Sequence, residues 1–258
     1  MKLTPTLLII VVAITSFCGC NSGLKQKTEQ TNSTQSFRTL DTVLPFAGFW
    51  LSERYFNDIQ KTKSPRQSQR SDESCITIPE RTLLVTRMIS GFHEGAADII
   101  VVKNGDQYQF WDPFLNEKHA DIVIISKDKI KIGNKYFLKL SSEYIGAGNN
   151  LHVLEEILFK GIYRLENGKT VEFKSNGFVT GLENFSQYEP VIDYMGPAMD
   201  VDQIAFVQPT DKVDVFGFKF EQDNLFLHEL EYSEYDSLNK MWGKADYGKL
   251  VYKLKKVR

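Results

Sequence analysis

The chain has 258 residues, with 31 Lys and Arg against 33 Asp and Glu, a formal charge of −2 and 12% aromatic side chains. That balance, without a basic stripe, excludes nucleic acid as an expected partner. The 18 Phe and 11 Tyr favour β-sheet over helical bundles.

Residues 7–14 are all apolar, Lys2 gives a positive start and Gly19 offers a small side chain before a cut. The run is too short to cross a bilayer, so residues 1–19 read as a secretory signal peptide. The segment Phe17-Cys18-Gly19-Cys20 resembles the lipobox of bacterial lipoproteins, with Phe17 and Cys18 departing from the commoner residues. The resemblance implies that Cys20 receives a diacylglyceryl thioether, that the signal is cut before it and that its new amine is acylated. Cys18 is the wrong candidate, because Phe17 is too bulky for the position before a cut. The expected place is the cell envelope of a Gram-negative-type cell, on the outer membrane, with the membrane as partner through the anchor. Cys18 would then leave with the signal and Cys20 would be acylated, so Cys75 remains without a disulfide partner. Its strand-like surroundings, Ser-Cys-Ile-Thr-Ile, suit a small buried hydrophobe.

From residue 20 to 44 the composition is Gln, Thr, Ser and Lys, which cannot bury enough surface to offset ordering entropy and reads as a tether. Beyond it the chain repeats itself. Phe46-Ala47-Gly48-Phe49-Trp50 parallels Phe159-Lys160-Gly161-Ile162-Tyr163, and the Lys135–Leu140 stretch parallels residues 249–254. Gly48 and Lys139 are separated by nearly the same interval as Gly161 and Lys253, which predicts a duplication into domains 45–142 and 155–258. Residues 141–150, with two glycines and paired Asn, read as the linker.

Within each half the pattern is short strands, over 82–88, 98–102, 108–111, 121–125, 129–132 and 136–140, then 169–174, 178–182, 188–194, 203–207, 213–220 and 225–230. Asn104-Gly105, Gly133-Asn134, Asn167-Gly168 and Asn176-Gly177 are hairpin dipeptides between such runs. Ser52 is placed to cap a helix through about Lys61, burying Tyr55, Phe56 and Ile59. Ser233 is placed to cap a second helix ending before Gly243, with Tyr235, Leu238 and Trp242 at one-face spacing. The second half has gained about 19 residues before its last strand, relative to the first. The expected class is all-β: two tandem antiparallel β-barrel domains with few short helices.

At Gly48-x-Trp50 the first half resembles the lipocalin and calycin group, and the second carries Gly161-x-Tyr163 in its place. The resemblance implies a short helix after the first strand and antiparallel strands closing into a ligand-holding barrel. It also implies a basic side chain from the last strand lying over the aromatic residue, for which Lys139 and Lys253 stand in comparable places.

Chemical motifs are sparse. His93-Glu94 starts like a zincin helix but Ala97 stands where the second His is required, and the four His show no ligand spacing, so no metal or cofactor is expected. Asp200 and Asp202, with Asp193 nearby, suit a solvated acidic turn better than a Ca²⁺ loop. Nucleophile elbow, phosphate loop and dinucleotide fingerprint are all missing. His93 and Glu94 fall in a loop at the presumed barrel mouth and are kept as binding candidates. The aromatic cluster Tyr232, Tyr235, Trp242 and Tyr247 marks either a plug on a barrel end or a flap over a ligand. Tyr235, Trp242 and Tyr247 are expected to border a pocket lined from Phe178, Tyr188, Phe206 and Phe218. The expected function is non-catalytic binding of a small amphipathic ligand or an envelope protein. The rivals are a glycan-acting envelope enzyme and a structural lipoprotein.

Overall fold

The computed structural model describes residues 42–69, 73–82, 85–90, 96–140 and 152–257. The signal peptide, Cys20, the tether up to residue 41, the 141–150 linker, His93 and Glu94 lie outside them. The end of the expected tether is part of the fold instead, since Leu44 is buried in the core and its N donates to Glu80 O at 2.8 Å. The chain is all-β, in two antiparallel sheets.

The first sheet starts with β1 (Gly48–Ser52), continues after two helices with β2 (Glu73–Ile78), β3 (Val85–Ser90) and β4 (Ala96–Asn104), and runs on through β5 (Gln107–Asp112), β6 (Glu117–Ser126), β7 (Lys129–Ile132) and β8 (Lys135–Leu140). Each strand pairs with the next, and β8 returns to β1 with Trp50 opposite Lys139, so the ring closes. The second sheet repeats this order with β9 (Gly161–Leu165), β10 (Thr170–Phe173), β11 (Val179–Thr180), β12 (Gln187–Pro190), β13 (Gln203–Val207), β14 (Val213–Glu221), β15 (Asn224–Asp236) and β16 (Met241–Lys256). Here β16 returns to β9, with Tyr163 opposite Lys256. The edges of β11 and β12 meet at a single bridge between Phe178 and Gln187. Beside it, Val179 N donates to Ser186 O at 3.0 Å and Tyr188 N to Gly177 O at 2.7 Å. Both halves are thus eight-stranded meanders, the second with a thin seam.

The first predicted helix is α1 (Glu53–Thr62). Ser52 Oγ accepts from Tyr55 N at 3.4 Å, and Tyr55 and Ile59, one turn apart, are its buried face. A short α2 (Pro65–Ser68) follows, capped by Ser64. A π-helical turn at Glu155–Phe159 precedes β9.

The predicted helix from Ser233 is not formed. Ser233 instead pairs with Lys244, and Tyr235 with Trp242, inside a long hairpin of β15 and β16. The chain reverses at Asp236, whose Oδ1 accepts from Leu238 N at 2.8 Å and Asn239 N at 3.2 Å. That Asx turn, with aromatic residues across from one another, outweighs a spacing that merely coincides with helical periodicity. The insertion in the second half is therefore an extension of two strands.

Alternation explains where the core sits. Trp50 points into the first barrel with Ile76, Val101, Phe110, Ile130 and Phe137. Its neighbours Phe49 and Leu51 point the other way, joining Tyr55, Ile59 and Cys75 in one cluster with Phe159, Phe173, Phe206 and Phe218 of the second half. β1 is therefore buried on both faces. Burial of Phe49 and Leu51, at about 1.5–3 kcal/mol for each such side chain, ties the exterior of the first barrel to the second half.

Candidate functional site

The two sheets repeat one local device. Gly48 (φ 132°) and Gly161 (φ 147°) both occupy backbone conformations that L-residues avoid. A Cβ on Gly48 would lie 2.9 Å from Lys139 Cε. Two residues on, Trp50 Nε1 donates to Phe46 O at 2.9 Å, and Tyr163 OH donates to Leu158 O at 3.4 Å. Lys139 Nζ stands 5.5 Å from the Trp50 ring, and Lys256 Nζ 5.6 Å from that of Tyr163. The expected partner of Tyr163, Lys253, is corrected by this geometry. In the register of β16 on β9 it is Lys256 that stands opposite Tyr163, and Lys253 pairs instead with Glu166 at 3.6 Å.

An open groove sits at the same place in each half. One, of about 640 Å³, is lined by Gly48, Thr77, Ile78 and Lys139. The other, of about 860 Å³, is lined by Gly161, Glu172, Phe173 and Lys256. Burial pulls the Lys256 ammonium below its usual pKa, and Lys63 nearby adds to the effect.

The interior expected to line a pocket is filled. Tyr188, Phe206 and Phe218 are buried, and rings occupy the space between them: Phe173 contacts Tyr188 at 4.9 Å, and Phe159 contacts Phe218 at 5.1 Å. Tyr188 OH donates to Lys174 O at 2.7 Å. Phe178 does not join this group and lies half-exposed beside the seam.

The remaining three predicted residues belong to the β15–β16 hairpin, at two different levels. Tyr247 is at its root. Its OH donates to Phe218 O at 2.9 Å, Lys219 Nζ lies 4.0 Å from its ring, and burial pushes its phenol up to about 12. Beyond His228, β15 no longer pairs with β14, and β16 meets β9 only from Leu254. Between these points the two strands form an arm. Near its tip Tyr235 and Trp242 touch at 4.9 Å, and Tyr232 stacks on Trp242 at 6.1 Å. Tyr235 is 52% exposed, Trp242 44% and the turn residue Leu238 92%, with Met241 beside them.

Among the described residues the arm is braced along its β16 edge. Ala198 N donates to Gly243 O at 3.1 Å, and Ala245 N donates to Asp200 Oδ2 at 3.1 Å. The expected solvated acidic turn is corrected: Asp202 is buried, and Asp200 and Asp202 hold neighbouring backbone. Asp202 Oδ1 accepts from Arg66 N at 2.9 Å, tying α2 to the second half. Burial raises the Asp202 carboxyl, against the pull of hydrogen bonds from Ser64 and Arg66. Asp193 Oδ1 accepts from Met195 N at 3.0 Å. Among the described residues no group of three His, Cys, Asp or Glu is placed to hold a metal.

Sequence reasoning missed Met241, Lys256 and the carboxylates Glu229 and Glu231 along β15. The signal for the last two was present, since residues 229–232 alternate acidic with apolar as a strand does. No family model, curated protein or solved structure matches the chain.

Proposed function

We propose that this chain is a lipid-anchored protein of the cell envelope, held through Cys20 at the outer membrane, with lipocalin-like barrels that serve as a scaffold. Its activity is non-catalytic binding of another envelope component by the β15–β16 arm. The observation that carries this reading is the exposed cluster of Tyr232, Tyr235, Leu238 and Trp242 on a braced hairpin, beside a barrel interior already filled with rings. Trp and Tyr offer large contact area at low entropic cost, which suits them to anchor an interface. The first barrel also exposes Phe114, Leu115 and the end of β6, but without a comparable ring cluster.

A photoreactive phenylalanine at position 238 tests the arm in intact cells. A discrete protein adduct is expected, weakened by Trp242→Ala and missing when the probe sits at Lys131. Absence of any adduct would remove the arm from the function. Cys20→Ala tests the anchor: the precursor should stay unprocessed, and acyl labelling that survives the change would sink the assignment.

One observation favours a second reading, a small amphipathic anion in the Gly161 groove, where Lys256 is partly desolvated. Calorimetric titration with fatty acids, on the wild type and Lys256→Met, separates it from the first.

A further inference from the structure

We infer that the occupant of the arm is an extended, arginine-bearing segment of a partner protein, added as a strand along the outer edge of β15. This rests on reading the arm as the binding element and names the chemistry of what it binds.

Three features converge on that edge. The first is backbone. β15 keeps its ladder to β16 as far as Asp236 opposite Met241, whereas its pairing with β14 ends at His228 opposite Gly217. Over residues 229–236 its other edge has no strand against it among the described residues. An unpaired row of N–H and C=O groups is a template for strand addition.

The second is charge. Between Glu229 and Asp246 the arm carries five carboxylates against Lys240 and Lys244, and Lys244 is already paired with Asp246 at 2.9 Å. Glu229, Glu231 and Glu234 lie on β15 itself and are exposed. A second copy of the arm would meet like charge there, and an anionic lipid surface would be repelled. A cationic segment is attracted.

The third is the ring cluster at the far end of the same edge. The rings of Tyr232, Tyr235 and Trp242 lie on one face of the arm and Glu229 and Glu231 on the other. Guanidinium groups take carboxylates in a bidentate fork and also stack on aromatic faces, so arginine suits either face of an added strand where lysine suits one less well. Bracing by Ala198 and Asp200 acts on β16, which leaves the β15 edge open and the arm already ordered before a partner arrives.

Three labelled nonapeptides alternating Val with Arg, Lys or Glu, titrated by fluorescence anisotropy into the full-length protein in detergent, test the inference. The arginine peptide should bind best and the glutamate peptide least. Glu229→Lys with Glu231→Lys should weaken the arginine peptide by at least about tenfold and shift preference toward the glutamate peptide. Glu229→Gln with Glu231→Gln gives an intermediate loss and guards against misfolding by the reversed pair. Hydrogen exchange should slow at residues 229–236 on binding. Equal binding of all three peptides, insensitivity to charge reversal, or tighter binding to anionic phospholipid vesicles would overturn the inference. Should position 238 still crosslink a protein while the arginine peptide fails to bind, the partner chemistry is wrong and the arm reading stands. Should both fail, the arm reading falls as well.

Discussion

Gly217→Ala should loosen the root of the arm while leaving both sheets folded. Gly217 lies in β14 opposite His228, beneath the Tyr247 ring. A Cβ there would sit 2.8 Å from Tyr247 Cδ1, 2.9 Å from Cε1 and 3.1 Å from Leu230 Cδ2. The ring has little freedom to retreat, because its OH bonds Phe218 O and Lys219 stands over its face. Overpacking costs about 1–3 kcal/mol, and giving up the hydrogen bond adds about 0.5–1.5 kcal/mol. Stiffening of the unfolded chain returns about 0.4–1 kcal/mol. The expected net loss is about 0.5–4 kcal/mol, centred near 2, or several degrees in Tm. Urea unfolding of Gly217→Ala, Tyr247→Ala and the double variant closes the cycle. With Tyr247 removed, the added methyl should cost nothing or stabilise slightly. Additive losses in the double variant would refute the steric argument.

His152 Nδ1 and Glu155 Oε1 are 2.9 Å apart beside β12. Burial raises the Glu155 carboxyl, and the hydrogen bond to Glu155 raises the His152 imidazole. The folded pair binds protons more tightly than the unfolded chain. Its contribution is full below the ordinary values of 4.5 and 6.5 and is lost as pH rises through the raised ones. Unfolding midpoints should fall with rising pH across the neutral range, and Glu155→Gln should flatten that slope; an unchanged slope assigns it elsewhere. Leu51→Ala, on the outward face of β1, should cost about 2–5 kcal/mol. Probes in both halves should lose stability together in denaturant, and a loss confined to the first half would contradict the shared core. Lys256→Met should change stability by less than about 0.5 kcal/mol, because relief of its desolvation offsets the lost ring contact. A larger thermal shift would show that the ammonium contributes more than its burial costs.

The meander was legible because turn chemistry is local. Gly105, Gly133, Gly168 and Gly177 all adopt positive φ at their hairpin dipeptides, and Ser52 caps α1 as its sequence signals. The arm was not, because Tyr235, Leu238 and Trp242 match helical spacing, while the Glu234 kink (φ 60°) breaks the alternation that marks a strand. Lys256 was not legible as the partner of Tyr163, because the register of β16 on β9 joins strands far apart in sequence. Periodicity put Tyr188, Phe206 and Phe218 together but carries no information on whether the space between them is hollow. The volumes of Phe159 and Phe173 decide that, once folding brings them inside.

The seam between β11 and β12 sets how the second sheet comes apart. Elsewhere ladders of two pairs or more join the strands, with five pairs between β14 and β15, but here a single bridge completes the ring. Local opening follows the weakest joint, so amides at Val179 and Tyr188 should exchange with solvent long before those of Leu225 or Leu254. A tear at this point unrolls the sheet without breaking any other ladder. β10 and β11 would peel from one side and β12 from the other, while the strands that carry the arm stay joined.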